Sequence, residues 1–160
     1  MPRIEISIPA QTLTLHADDG RVLRTYLVST AARGPGEQRG SLCTPRGRHV
    51  VRAKIGAGAA FNTVFVGRRP TGEMWSPELA ARHPGRDWIL TRILWLSGCE
   101  PGFNRLGSVD TMRRFIYIHG SPDTVPMGAP GSIGCVRMRN RDIVELFDLV
   151  SAGTPVEILA

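Results

Sequence analysis

Apolar and polar residues alternate in short runs along the first part of the chain. Isoleucines at positions 4, 6 and 8 alternate with polar residues, and leucines at 13 and 15 alternate with Thr12, Thr14 and His16. A period of two is typical of half-buried strands. Asp18-Asp19-Gly20 is a hairpin turn signal, so residues 22–28 are expected to form the returning strand. His16 falls on the polar side of its strand and is expected to be exposed.

Three further apolar runs lie between long polar loops. The runs at 49–55, 63–66 and 88–96 predict strands, and the Gly- and Pro-containing segments at 30–48, 67–87 and 97–110 predict loops. Long loops inside compact domains are often functional, so 30–48 is a candidate border of a substrate groove. Arg92 interrupts the last apolar run, which is costly unless the arginine is paired or faces a cleft. Both explanations stay open at this point.

The C-terminal part predicts one helix and one strand. Asn140 is a suitable helix N-cap. Apolar residues then recur at helical spacing, at Ile143, Leu146, Phe147 and Val150. The segment 151–153 ends this helix, and residues 156–159 predict a last strand. No internal repeat or linker is apparent, so residues 1–160 are expected to form a single, mainly β domain with one or two short helices.

Composition and charge narrow the classes of partner. The 160 residues are 42% hydrophobic, enough for a sizeable core, and include 18 glycines and 12 prolines. The 20 Lys and Arg residues against 14 Asp and Glu give a net charge of +6. This charge favours an anionic partner such as nucleic acid, a membrane surface or an anionic polymer. The arginines are scattered and no nucleic-acid-binding motif is present, so nucleic acid is not expected to be the partner.

The sequence does not determine the cellular compartment of the protein. No apolar stretch has the length of a transmembrane helix, so no integral membrane segment is expected. The N-terminus lacks the apolar segment of a signal peptide. Three explanations fit this: a leader has been removed, the protein is exported by another route, or it stays inside the cell.

Cysteine usage gives little sign of a metal or disulfide framework. Cys43, Cys99 and Cys135 cannot all pair with one another. A Cys43–Cys99 disulfide that leaves Cys135 free is open but unsupported, because sequence spacing does not fix disulfide geometry. No CxxC or other zinc-binding spacing is present. A metal site is therefore not expected.

Residues 115–138, FIYIHGSPDTVPMGAPGSIGCVRM, carry the candidate chemistry. The apolar run 115–118 predicts a strand that ends at His119-Gly120, and a Pro- and Gly-rich loop then leads to Cys135. A cysteine and a histidine are the two parts of an activated thiol nucleophile. Taken singly, each has an ordinary explanation, as a small buried thiol or a satisfied polar side chain. His119 and Cys135 are sixteen positions apart, so only the fold can bring them together.

The neighbours of Cys135 strengthen the nucleophile hypothesis. Gly134 allows a sharp turn in which consecutive N–H groups point at one spot, as stabilisation of an oxyanion requires. Arg137 lies two residues beyond Cys135, on the same face of a predicted strand. Its guanidinium either binds a substrate carboxylate, lowers the pKa of the thiol or forms a structural salt bridge.

The central segment resembles the signature of the YkuD-type L,D-transpeptidases of bacterial cell-wall synthesis, through His119-Gly120, the Pro/Gly loop and Ser132 to Met138. The resemblance covers nearly the whole chain. It includes an opening hairpin at 11–20, a Thr-Pro-x-Gly loop at 44–47, and a closing helix and strand at 140–158. A run similar to the one around Arg92 also precedes the catalytic segment in that family. The family commonly carries histidine where this chain has Ile133.

The resemblance implies a β-sandwich fold and an enzyme without metal or cofactor. By analogy, Cys135 is the nucleophile, His119 takes the thiol proton, and the carbonyl of Gly120 orients the imidazole. The implied supporting residues are the oxyanion-hole N–H groups of Ile133, Gly134 and Cys135, the loop-bracing Ser132, and the substrate-binding Arg137 and Arg92. If the side chain at position 133 normally touches substrate or tunes the thiol, Ile133 changes rate or specificity.

The implied substrates are peptidoglycan stem peptides. The acyl donor is a tetrapeptide stem ending in D-alanine, and the acceptor is an amine of a second stem. Water as acceptor would make the protein an L,D-carboxypeptidase, and a protein lysine would make it an anchoring enzyme. Carbapenems are implied inhibitors, and the periplasm or cell wall is the implied location. The alternative of a non-catalytic peptidoglycan-binding module is favoured by Ile133 and opposed by the intact pair of His119 and Cys135.

Overall fold

The computed structural model describes residues 1–160 as ten strands and two α-helices. The strands are β1 (Arg3–Ser7), β2 (Thr12–His16), β3 (Val22–Leu27), β4 (Gly47–Ile55), β5 (Thr63–Val66), β6 (Arg69–Met74), β7 (Ile89–Gly98), β8 (Tyr117–Ser121), β9 (Val136–Arg139) and β10 (Pro155–Leu159). The helices are α1 (Pro77–Arg82) and α2 (Asn140–Leu149), and a 3-10 turn spans Gly107–Val109. Neither helix is long and apolar enough to cross a membrane.

All ten strands belong to one hydrogen-bonded sheet. The main path runs β3-β2-β1-β10-β4-β7-β5-β6, and β8 and β9 continue the sheet from β7. The pairs β1–β10 and β8–β9 are parallel, and the other pairs are antiparallel. The ten-residue strand β7 is central, because it pairs with β4, β5 and β8. The predicted mainly β architecture is therefore confirmed. The strands form a single curled sheet.

The two ends of the curled sheet meet beside the candidate chemistry. Just beyond β3, Ser29 forms an antiparallel bridge with Arg137 of β9, with N–H to carbonyl distances of 2.9 and 3.0 Å in the two directions. Ala31 forms a parallel bridge with Ser132, which precedes β9. Because β3 ends the main path and β9 ends the branch that leaves β7 through β8, these bridges close the curl at the turn that carries Cys135.

The hydrophobic interior lies within this curl. β1 and β2 alternate as predicted, so that Ile4, Ile6, Leu13 and Leu15 are buried and their neighbours are not. Fully burying a side chain of this size stabilises the fold by roughly 1.5–3 kcal/mol. Helix α2 covers the cluster with one apolar face, made by Ile143, Leu146 and Phe147.

Two predicted elements near the site differ from the observed ones. The apolar run 115–118 is displaced, because Phe115 lies in a turn with φ 57° and the strand begins at Tyr117. His119 consequently lies inside β8 instead of at its end. Asn140 is the first residue of α2 instead of its N-cap, which is Arg139. The buried amide of Asn140 instead bonds the hydroxyl of Thr91 and the side chain of Asn62.

The segment 67–87 was expected to be a loop but contains β6 and α1. Strand β6 pairs with β5, and its mostly exposed residues show no alternation that would reveal it. Helix α1 begins with Pro77 after Ser76, whose hydroxyl accepts a hydrogen bond from the N–H of Leu79 at 3.0 Å. These are ordinary helix-start signals. All three cysteines are free, so Cys43 and Cys99 form no disulfide.

Candidate active site

The parallel pairing of β8 with β9 places His119 and Cys135 on one face of the sheet. Ile118 is in register with Val136, and His119 with Arg137. Ile118 and Val136 point into the main core. Because side chains alternate along a strand, Tyr117 and His119 point to the opposite face. Cys135, one residue before β9, packs against the cluster that contains Tyr117 and so lies on that face as well.

His119 is held with one ring nitrogen bonded and the other free. The Nδ1 atom lies 2.6 Å from the carbonyl oxygen of Gly120. Since a carbonyl only accepts, Nδ1 carries the hydrogen and Nε2 carries the lone pair. Nε2 is buried and has no hydrogen-bond partner. Burial lowers the pKa of His119, although the charge of Asp87 opposes this, so the ring is neutral at pH 7.

The Cys135 thiol is held at the floor of a groove. Its Sγ accepts a hydrogen bond from the N–H of Tyr117 at 3.3 Å and lies 3.4 Å from the carbonyl oxygen of Phe115. Burial of the sulfur raises the pKa of the Cys135 thiol to about 12. The positive charges of Arg137 and Arg114 lower this pKa by less than burial raises it. The predicted lowering of the thiol pKa by the charge of Arg137 is therefore present, but burial outweighs it.

The turn before Cys135 leaves two N–H groups free. The Ser132 hydroxyl donates to the carbonyl of Cys135 at 2.5 Å and accepts from the N–H of Gly134 at 3.2 Å, so it braces the turn. The carbonyl of Gly134 accepts from the hydroxyl of Thr44 at 2.8 Å. The N–H groups of Ile133 and Cys135 have no acceptor within the protein. Of the three predicted oxyanion-hole donors, these two are available and that of Gly134 is occupied.

Arg137 is committed to a structural ion pair. One guanidinium nitrogen lies 2.8 Å from a carboxylate oxygen of Asp87, and the other donates to the carbonyl of Gly131 at 3.0 Å. The salt-bridge interpretation of Arg137 thus describes the observed contact. Asp87 itself lies at the edge of the groove that contains Cys135. No sequence signal pointed to Asp87, because it stands in the segment 67–87 far from the central motif.

Arg92 lies away from the groove. Its guanidinium donates to the carbonyls of Ala59 and Thr91, both at 2.7 Å, and stacks over the ring of Phe147 in α2. The residue is only 8% exposed. Of its two sequence explanations, a paired interior arginine matches the structure.

A groove of about 440 Å³ gives access to Cys135. Its walls include two arginines, Arg68 and Arg114, and three aromatic or aliphatic side chains, Phe115, Tyr117 and Ile133. Ile133 is 55% exposed at its rim. Sequence reasoning missed Arg68, Arg114 and Tyr117, since single arginines and aromatics outside a motif carry no local signal of a site.

Comparison with known proteins places this architecture in a family. The sequence pattern of the YkuD L,D-transpeptidase catalytic domain matches residues 1–158. The chain belongs to this family. The YkuD match spans both the β8–β9 region and the opening hairpin, so it covers all the elements that surround the groove.

Relatives of this YkuD domain agree with that assignment. The Bacillus subtilis protein YkuD, named as an L,D-transpeptidase, is 27% identical over 155 residues, which are 97% of this chain and 64% of that protein. The Mycobacterium smegmatis L,D-transpeptidase is similar in fold, with a TM-score of 0.57 at 22% identity over 99% of this chain and 58% of that one.

Two ligand-bound structures are similar in fold as well. An L,D-transpeptidase in complex with imipenem has a TM-score of 0.59 at 22% identity, covering 99% of this chain and 58% of that one. L,D-transpeptidase 3 of Mycobacterium tuberculosis with a faropenem-derived adduct has a TM-score of 0.58 at 17% identity, covering 99% and 61%. The chain thus spans less than two thirds of the length of these relatives. The predicted L,D-transpeptidase type of fold is confirmed.

Proposed function

We propose that the protein is a cysteine-dependent L,D-transpeptidase that acts on peptidoglycan stem peptides. The observation that carries this proposal is the free, buried Nε2 of His119 on the same sheet face as the Cys135 thiol. A buried unpaired nitrogen is costly in a folded protein, and it is the atom that a thiol-activating base requires. Membership of the L,D-transpeptidase family supports the reaction class.

In the proposed acylation step, Cys135 Sγ attacks the carbonyl carbon of the peptide bond before the terminal D-alanine. The thiol proton passes to Nε2 of His119 as the carbon–sulfur bond forms. Because the thiol pKa is raised and the imidazole is neutral, the proposed resting state has a protonated thiol and a neutral base. The carbonyl π electrons move to oxygen, where the free N–H groups of Ile133 and Cys135 are suited to stabilise the oxyanion.

Collapse of the tetrahedral intermediate breaks the carbon–nitrogen bond and leaves a thioester on Cys135. The proton on His119 goes to the departing nitrogen, so D-alanine leaves as an amine. An amine of a second stem then attacks the thioester and gives its proton to His119, and the thiolate leaves and is reprotonated. Water in place of the amine would give L,D-carboxypeptidase activity.

The carbonyl of Gly120 is proposed to orient the base. Its 2.6 Å contact with Nδ1 fixes the tautomer in which Nε2 can accept a proton. During the reaction this carbonyl also stabilises the transient imidazolium, as a carboxylate does in serine triads. Ser132 is proposed to act through the shape of the turn, because both its hydrogen bonds are to backbone groups.

Two further parts of the proposal rest on the family. We propose that residues 1–160 act as a single catalytic domain in the periplasm or cell wall. We also propose that carbapenems acylate Cys135, because a similar L,D-transpeptidase has been solved in complex with the carbapenem imipenem.

The test follows a purified disaccharide-tetrapeptide by mass spectrometry with wild-type protein, Cys135→Ala and the matched control Cys99→Ala. Loss of the terminal alanine with a dimeric product, a transient adduct on Cys135 and full activity of Cys99→Ala are expected. Loss of alanine without a dimer in the presence of excess acceptor would indicate a carboxypeptidase. Equal inactivity of wild type and Cys135→Ala, with peptide still bound, would overturn the enzyme proposal in favour of a binding module, and Ile133→His would then be tested.

A further inference from the structure

Arg68 stands at the tip of the β5–β6 hairpin, over the groove that contains Cys135. The two residues between these strands, Gly67 and Arg68, have φ values of 57° and 64°. Two consecutive positive φ values are typical of the tight type I′ hairpin turn, and they are uncommon for a residue with a side chain. The turn therefore fixes the direction in which the Arg68 side chain leaves the hairpin.

Three aromatic side chains hold the guanidinium of Arg68. It lies 4.5 Å from the ring centroid of Trp95 and 5.0 Å from that of Phe115. One of its nitrogens donates to the hydroxyl of Tyr117 at 2.9 Å. Such contacts orient a guanidinium without neutralising its charge. Tyr117 also donates its backbone N–H to Cys135 Sγ. The same residue therefore contacts both the Arg68 guanidinium and the thiol.

No carboxylate pairs with Arg68. The seven ion pairs of the protein do not include it. A guanidinium has five N–H donors, and this one uses a single donor within the protein. The other four donors have no partner in the protein, and Arg68 lines the groove together with Cys135.

The other charges of the groove leave this position electropositive. Asp87 is neutralised by Arg137 at 2.8 Å. Arg114 also has no carboxylate partner, but it donates to the carbonyls of Gly36, Glu37 and Cys43. Arg114 is thus tied to the loop 30–48, whereas Arg68 keeps its donors for a ligand. A planar guanidinium with two adjacent free donors matches a carboxylate in a two-pronged pair.

We infer that Arg68 is a substrate-binding residue that pairs with a carboxylate of the stem peptide and so sets its position over Cys135. This inference rests on the proposed function and names a contact within it. It also replaces Arg137, which the ion pair with Asp87 removes as carboxylate receptor. A tetrapeptide stem has the carboxylate of its terminal D-alanine near the scissile bond, and a second one there where the side chain of its diamino acid carries a carboxylate. The chemistry is the same for both, and amidation of one or the other distinguishes them.

The test compares Arg68→Gln and Arg68→Lys with a matched control, Arg52→Gln. Glutamine keeps the packing of the side-chain stem and removes the charge. Arg52 is exposed and also stacks on Trp95, at 5.5 Å, but it does not line the groove. Arg68→Gln and Arg52→Gln each remove one positive charge, whereas Arg68→Lys keeps it. Thermal unfolding checks that each variant is folded.

Arg68→Gln is expected to raise KM for the tetrapeptide about 10- to 100-fold, the range for a hydrogen-bonded charge pair, with a much smaller change in kcat. Arg68→Lys should retain part of the affinity, and Arg52→Gln should behave as wild type. Amidation of the recognised carboxylate should weaken the binding of the tetrapeptide to wild type by a similar factor. It should cause no further loss of affinity in Arg68→Gln, which already lacks the guanidinium. An equal amidation penalty in wild type and Arg68→Gln at both carboxylates, or an equal effect of Arg52→Gln, would overturn the inference.

A separate binding experiment tests this inference independently of the proposed chemistry. Calorimetry measures the tetrapeptide and its two amides with Cys135→Ala and with Cys135→Ala/Arg68→Gln. Carboxylate-dependent binding that disappears with Arg68→Gln supports the inference even if wild type turns nothing over. Turnover by wild type without any dependence of binding on Arg68 would overturn the inference alone.

Discussion

His49 is predicted to make the fold sensitive to mild acid. Its ring is 1% exposed, with Nδ1 3.0 Å from the carbonyl of Gly47 and Nε2 3.0 Å from the hydroxyl of Thr111. The carbonyl only accepts, so Nδ1 donates, and in the neutral ring Nε2 accepts from the hydroxyl. Burial lowers the pKa of His49 from 6.5 to about 4, although Gly47, Glu100 and Glu37 act in the opposite direction.

The sign and the size of the pH effect on stability follow from the linkage between protonation and folding. Between pH 6.5 and pH 4 the unfolded chain binds a proton at this histidine that the folded chain does not, so stability falls as the pH falls. The His49 contribution to the free energy of unfolding should decrease by about 2 kcal/mol at pH 5 and about 3 kcal/mol at pH 4, relative to pH 7.5. His119, whose pKa burial also lowers, adds a loss of the same sign.

The assay is urea unfolding of wild type and His49→Gln at several pH values. The difference between the two proteins isolates His49, because His119 and the carboxylates are common to both. His49→Gln should be less stable at pH 7.5, and this deficit should shrink by about 3 kcal/mol on going to pH 4. His83→Gln, at an exposed histidine, controls for the loss of one imidazole. A deficit that is independent of pH would refute the reasoning.

Two further predictions concern the surroundings of His119. Gly120→Ala would place a Cβ 2.5 Å from Oδ1 of Asn140 and 2.6 Å from the carbonyl of Leu90, so it should destabilise the fold by roughly 1–3 kcal/mol in urea unfolding and reduce activity by displacing the carbonyl that orients His119. A variant as stable as wild type would contradict this packing. Asp87→Asn removes the charge that raises the pKa of His119, so the acid limb of the kcat/KM profile should move to lower pH. A shift to higher pH would contradict the electrostatic argument.

The strands were predictable where burial alternates along them. β1 and β2 bury every second residue, and that period is visible in the sequence. Strand β6 has no such pattern, because most of its residues are exposed and its existence depends on hydrogen bonds to β5. Helix α1 differs, because Ser76, Pro77 and Glu78 are start signals that were present in the sequence and went unused. Local chemistry was therefore informative about α1, and only tertiary pairing explains β6.

The site was predictable to the extent that its residues form one motif. His119 and Cys135 were paired from their chemistry, and the register of β8 with β9 places them on one face of the sheet, which the sequence did not show. Arg137 and Arg92 were harder, because an arginine has the same appearance in a sequence whether it binds substrate or is tied to the protein. Their partners, Asp87 and Phe147, lie 50 and 55 positions away from them in the chain.

Ile133 can be evaluated from the same geometry. At the position where the family commonly carries histidine, its backbone N–H is one of the two free donors at the turn, and a change of side chain leaves this donor in place. Its side chain points into the rim of the groove, where it lies with Phe115, itself 51% exposed. Neither hydrogen bond of Cys135 Sγ involves Ile133. Isoleucine here therefore alters the surface that a substrate meets and leaves the hydrogen bonds of the thiol intact. Its consequence should appear in substrate preference before it appears in the reactivity of Cys135.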